Sequence, residues 1–78
     1  MAKVIVLIST QPEKEKEIAK YLKETHKIKT IYLVDGLYNI VAVISIEQPT
    51  IVRKLLDDLK ARGNVKTIDI LTIREENF

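Results

Sequence analysis

Cysteine and tryptophan are absent from this 78-residue chain, and glycine, proline and histidine are scarce, at two, two and one. Without cysteine there is no disulfide to staple a small core and no thiolate metal site, so a heavy-metal carrier is excluded. His26, the single histidine, has no second imidazole with which to form a histidine metal cluster. The glycines, Gly36 and Gly63, stand in no G-x-G-x-x-G fingerprint, P-loop or G-x-S-x-G elbow. One phenylalanine and three tyrosines leave little material for an aromatic-lined pocket or a base-stacking sheet. No apolar run approaches the roughly 20 residues that span a bilayer. The N-terminus lacks a basic segment followed by an apolar stretch and a small-residue cleavage site. The expected protein is therefore cytoplasmic, off the membrane, without metal or cofactor, and not an enzyme.

Charge is nearly balanced, with 13 basic and 11 acidic residues and a formal net charge of +2. The signs interleave, as in Glu13-Lys14-Glu15-Lys16-Glu17, which is the pattern of a solvated helix face and not of a phosphate-binding stripe. No direct nucleic-acid binding is expected. Ten lysines against three arginines, with abundant isoleucine and glutamate, is a thermophile-like composition in which charged networks help at high temperature.

Hydrophobic periodicity gives the order β-α-β-β-α-β within one domain, residues 1–78. Lys3 to Ser9 is a short β-branched run that reads as a strand. Thr10-Gln11-Pro12-Glu13 has the spacing of a capping box and predicts a helix start there, with Ile18, Ala19, Tyr21 and Leu22 on its apolar stripe. Ile28 to Val34 and Leu37 to Ile46 are predicted as strands joined at Asp35-Gly36, the preferred pair for a two-residue type I′ turn. Pro49 opens a second helix with an apolar stripe through Ile51, Val52, Leu55, Leu56 and Leu59, stopped by Gly63-Asn64. A last strand covers Val65 to about Ile73.

Two β-α-β halves in this order predict the α+β ferredoxin-like plan, a four-stranded antiparallel sheet with both helices on one face. Two helices of about 10 Å diameter cover one side of a sheet whose four strands lie about 4.8 Å apart. The other side is left bare. A bare side facing water calls for alternating apolar and polar residues. Instead, Val4, Val6 and Ile8 share the first strand with Ile5 and Leu7, and Ile40, Ala42, Ile44 and Ile46 share the third with Val41 and Val43. A chain this short buries about 60% of its unfolded surface. An apolar second face therefore predicts a homodimer formed sheet to sheet.

The chain from Val4 to about Arg74, with its apolar hairpin holding Val34-Asp35-Gly36-Leu37-Tyr38-Asn39, resembles the C-terminal effector domain of the leucine-responsive/asparagine (Lrp/AsnC) transcriptional regulators. That module is also called the RAM domain. The family's turn commonly reads glycine, a polar residue, an aromatic residue, then aspartate; Gly36 and Tyr38 match, and Leu37 and Asn39 depart. Full-length members carry an N-terminal helix-turn-helix domain, and this chain begins at the first strand, so the resemblance is to the stand-alone form. It implies dimers assembled into a larger ring, often an octamer. It also implies a small effector, usually an amino acid, bound between dimers near the turn, and partnership with full-length regulators of metabolic genes.

The candidate effector-binding residues are therefore Asp35, Gly36, Leu37, Tyr38 and Asn39. A glycine turn allows close backbone approach, so the Gly36 and Leu37 amides are candidate donors to a carboxylate. Asp35, Asn39 or the turn carbonyls are candidate acceptors for an ammonium. The plainer alternatives are a hairpin chosen for its φ values and a Tyr38 that is a strand residue with a polar tip. His26 is expected to complement the dipole of the first helix, and Asp57-Asp58 to lie on a solvated face. Two further functions stay open: an assembly partner that binds no ligand, and an interface enzyme of the dimeric α+β barrel type. An ACT domain fits less well, because Ser9-Thr10-Gln11-Pro12 lacks the usual glycine.

Overall fold

The computed structural model describes residues 2–26, 28–46 and 49–74. It contains β1 (Ala2–Thr10), α1 (Glu15–Thr25), β2 (Thr30–Leu33), β3 (Ile40–Ile46), α2 (Pro49–Arg62) and β4 (Val65–Ile73). The strands form one sheet in the order β2-β3-β1-β4, with every neighbouring pair antiparallel. This is the ferredoxin-like α+β fold that the periodicity predicts.

One face of the sheet carries the core. Val4, Val6 and Ile8 of β1 and Ile40 and Ala42 of β3 are buried against Ile18 and Leu22 of α1 and Leu55 and Leu59 of α2. Each helix contributes its pair at four-residue spacing, which brings both residues onto one stripe. Ile51 of the predicted stripe lies outside the residues whose side chains are described. Gly63 and Asn64 end α2 with φ of 86° and 64°, the left-handed conformation of a helix C-terminus.

Three local expectations are corrected. The capping box at Thr10-Glu13 does not form. Thr10 is instead the buried end of β1 opposite Val65, and the Gln11 amide donates to the Asn64 carbonyl at 2.9 Å. The segment is thus tied to the α2–β4 connection, Glu13 reverses the chain at φ 66°, and α1 begins at Glu15 with Lys14 as N-cap and no side-chain cap. The β2–β3 turn is not a two-residue type I′ turn. Gly36 has φ 137°, but Asp35 is not among the residues with positive φ, and that turn needs both. Finally, β2 and β3 are shorter than predicted, at Thr30–Leu33 and Ile40–Ile46.

The helix pair is joined by side chains that the charge pattern assigns to solvent. His26 Nε2 lies 3.2 Å from Asp58 Oδ2, with its side chain mostly covered, and makes no hydrogen bond among the described residues. The Tyr21 ring meets His26 edge-on at 5.4 Å, and Arg62 sits 4.4 Å above the same ring. His26 is thus a packing residue between α1 and α2 as well as a helix terminus.

Candidate functional site

The second face of the sheet is open. Residues opposite one another in an antiparallel ladder share a face, and the register lines up two rows across all four strands. One row is Tyr32–Val41–Leu7–Asp69 and the other Thr30–Val43–Ile5–Leu71. Tyr32 and Leu71 are 56% and 53% exposed, and Ile5, Leu7, Val41 and Val43 are half-buried. Six neighbouring apolar or amphipathic side chains thus face outward, as the double-parity pattern of β1 and β3 predicts.

At one end of this face the β2–β3 connection is closed by the Val34 amide donating to the Asn39 carbonyl at 2.8 Å, which leaves Asp35 to Tyr38 as the loop. Asn39 then serves as a junction. Its own amide donates to the Ile8 carbonyl at 2.8 Å, and its side-chain Oδ1 accepts the Thr10 amide at 2.9 Å. This pinning to the end of β1 sets where β3 begins, and it is the physical reason that the loop is longer than the Asp-Gly pair predicts.

Tyr38 reaches further. Its hydroxyl donates to Asp69 Oδ2, on the far side of β1 from β3. The Tyr38 phenol is held above its ordinary pKa, first by that hydrogen bond, then by desolvation and by the negative charge of Asp69. The phenol therefore stays a donor.

The five candidate residues divide into two groups. Tyr38 and Asn39 are half-buried and bonded to β4 and β1. Asp35, Gly36 and Leu37 project outward, with Leu37 89% exposed. A Cβ built on Gly36 meets nothing within 4 Å, so open space surrounds the turn. Two open depressions flank β2, one lined by residues including His26, Ile28 and Ser45 and the other by residues including Ala19, Ile31 and Leu33. Residues 35–39 line neither of them. Asp69 is the residue that sequence reasoning did not place in the site. It stands 31 positions from Tyr38, and its signal is the lone acid in a strand whose other residues are apolar or hydroxyl-bearing apart from Lys66. No group of three or more histidine, aspartate or glutamate residues that could hold a metal occurs among the described residues. No described helix is long and apolar enough to cross a membrane.

No protein-family model matches the chain, and no curated protein matches it by sequence. Solved structures do match its fold. The hypothetical protein PHS023 of Pyrococcus horikoshii aligns with a TM-score of 0.80 at 17% identity, over 97% of this chain and 93% of that one. FFRP-DM1 aligns with a TM-score of 0.80 at 16% identity, over 94% and 99%. The transcriptional regulator NMB0573 of Neisseria meningitidis, solved in complex with L-Met, aligns with a TM-score of 0.77 at 12% identity. That alignment covers 96% of this chain and 51% of the regulator, so the chain spans about half of the regulator's length. At these identities the likeness is one of fold.

Proposed function

We propose that this chain is an oligomeric effector-binding domain of the Lrp/AsnC (RAM) type. In this reading it binds a small molecule, an amino acid, at the β2–β3 hairpin and acts in transcriptional regulation of metabolism by co-assembly with full-length regulators. The observation that carries the reading is the fold shared, over nearly the whole chain, with half of a transcriptional regulator solved with L-Met. Physical support comes from the open face. Ile5, Leu7, Val41, Val43, Tyr32 and Leu71 make the kind of outward apolar surface that marks an association site, and a second copy is the partner that presents the same surface. The hairpin turn, with open space around Gly36, gains walls when dimers meet there in a larger ring. The domain is read as non-catalytic.

A thermal-shift or calorimetric screen of amino acids on the full chain, with sedimentation velocity at micromolar concentration, tests this function. At least one amino acid is expected to bind, and the chain is expected to sediment as a dimer or larger. A flat response across amino acids and related metabolites removes the effector role; a folded monomer removes the assembly.

A second reading, an assembly partner that binds no ligand, is favoured by one observation: Tyr38 and Asn39 already satisfy contacts within their own chain. A flat ligand screen combined with subunit exchange into full-length regulators, seen by native mass spectrometry, is the result that selects it.

A further inference from the structure

Asp69 is the sole acidic residue in any of the four strands. It sits on the open face, directly across from Leu7 and two residues from Leu71. A carboxylate offers about four acceptor positions, and the bond that it makes here comes from the neutral Tyr38 hydroxyl. That bond orients the group without compensating its charge. None of the ion pairs among the described residues includes Asp69. The basic residue of β1 is Lys3, opposite Ile73, so its backbone stands about 13 Å along the strands from the Asp69 position at roughly 3.3 Å per residue.

An oriented, uncompensated carboxylate on an apolar surface is costly to cover unless a cation arrives with the cover. Tyr38 belongs to the Asp35–Tyr38 loop, so the Asp69 carboxylate is delivered to the base of the hairpin. The side chains of that hairpin hold one other carboxylate, Asp35, which is exposed. Asn39, the remaining acceptor, has its Oδ1 committed to the Thr10 amide.

We propose that Asp69 is the cation receptor of the hairpin site, binding the ammonium group of a small amine-bearing effector, with Tyr38 as the positioning residue that aims the carboxylate. This rests on the reading of the hairpin as an effector site and names the chemical group that the site requires. The effector carries a free primary amine, and acylation of that amine removes both the charge and two of the three donors.

The test is calorimetric titration of the full chain with the proteinogenic L-amino acids and, for each that binds, its N-acetyl derivative. Binding of a free amino acid is expected, with the N-acetyl form weaker by at least roughly tenfold. Asp69→Asn keeps an oxygen acceptor for Tyr38 but removes the charge, and is expected to weaken binding on the order of 10- to 100-fold, the worth of one hydrogen bond to a charged group. Tyr38→Phe is expected to lose a smaller factor and to keep the preference for the free amine. Unchanged affinity in Asp69→Asn, or equal binding of the N-acetyl form, overturns the role of Asp69 while a loss of binding in Gly36→Val still upholds a hairpin site. No binding by the wild type overturns both. A drop in self-association of Asp69→Asn without any amino acid present assigns the carboxylate to a cation of a second copy and also overturns the proposal.

Discussion

The Tyr38 hydroxyl donates to Asp69 Oδ2 across 31 positions of sequence, joining the β2–β3 loop to β4 with β1 lying between β3 and β4 in the sheet. Asn39, which follows the loop, adds two more bonds to the end of β1, accepting the Thr10 amide at Oδ1 and donating its own amide to the Ile8 carbonyl. These bonds hold Tyr38 and Asn39 and leave Asp35 to Leu37 exposed.

The Tyr38 tie has a pH signature. The folded-state pKa of Tyr38 is raised above 10.0, so the folded protein holds this proton more tightly than the unfolded chain. The associated stability is fully present below about pH 10, the unfolded value, and is lost as pH rises through the folded pKa. Spectrophotometric titration of phenolate absorbance is expected to show one of the three tyrosines ionising late. Tyr38→Phe is expected to remove that late component, and its persistence in the variant would assign it elsewhere.

Asn39→Ala removes the acceptor of a part-buried amide and is expected to destabilise by about 1–3 kcal/mol. For a domain of this size that is a fall of about 4–8 °C in Tm per kcal/mol. Asn39→Asp keeps the acceptor and is expected to retain most of the stability. Urea or thermal denaturation of the pair checks this; equal loss in both variants would show that the amide geometry, and not the acceptor, matters.

Leu22→Ala deletes a fully buried side chain where α1 meets the sheet and is expected to cost about 2–5 kcal/mol. In a domain with so small a core this is a large share of a total stability of about 5–15 kcal/mol. Circular dichroism melts are expected to show a lowered or absent transition.

Leu7→Lys changes the open face without touching the core, because Leu7 alternates with the fully buried Val6 and Ile8. The monomer is expected to stay folded while its self-association weakens by at least roughly tenfold, about 1.4 kcal/mol. Sedimentation equilibrium reads the change; an unaltered association constant would move the interface off this face.

Gly36→Val is strained by its φ of 137° and not by contact, since no atom lies within 4 Å of an added Cβ. A cost of about 1–3 kcal/mol is expected for holding a β-branched residue there. Differential scanning calorimetry of Gly36→Val against Leu37→Val, at an exposed neighbour, isolates the backbone effect.

The element order, the two helical stripes and the double-parity strands were legible from local pattern, because periods of 2 and 3.6 residues are written into neighbouring positions. Val65–Ile73 appears with its predicted bounds, and α2 begins at Pro49 and stops at Gly63-Asn64 as the breakers require. Thr10-Gln11-Pro12-Glu13 misled for a tertiary reason. Its residues satisfy the capping spacing, but β1 runs on through Thr10, and Gln11 bonds to Asn64.

Asp35-Gly36 likewise marked the position of a turn while the turn's size depended on Asn39 meeting Ile8 and Thr10. Composition and periodicity determine that two helices cover one face of a sheet whose other face is also apolar, since both follow from the order of side chains along the chain. Which members of the hairpin are spent on holding it, which remain exposed, and that Asp69 joins them was decided by the tertiary structure alone. Hydrogen bonds between distant segments depend on register and approach, and they leave no periodic trace in the residues that make them.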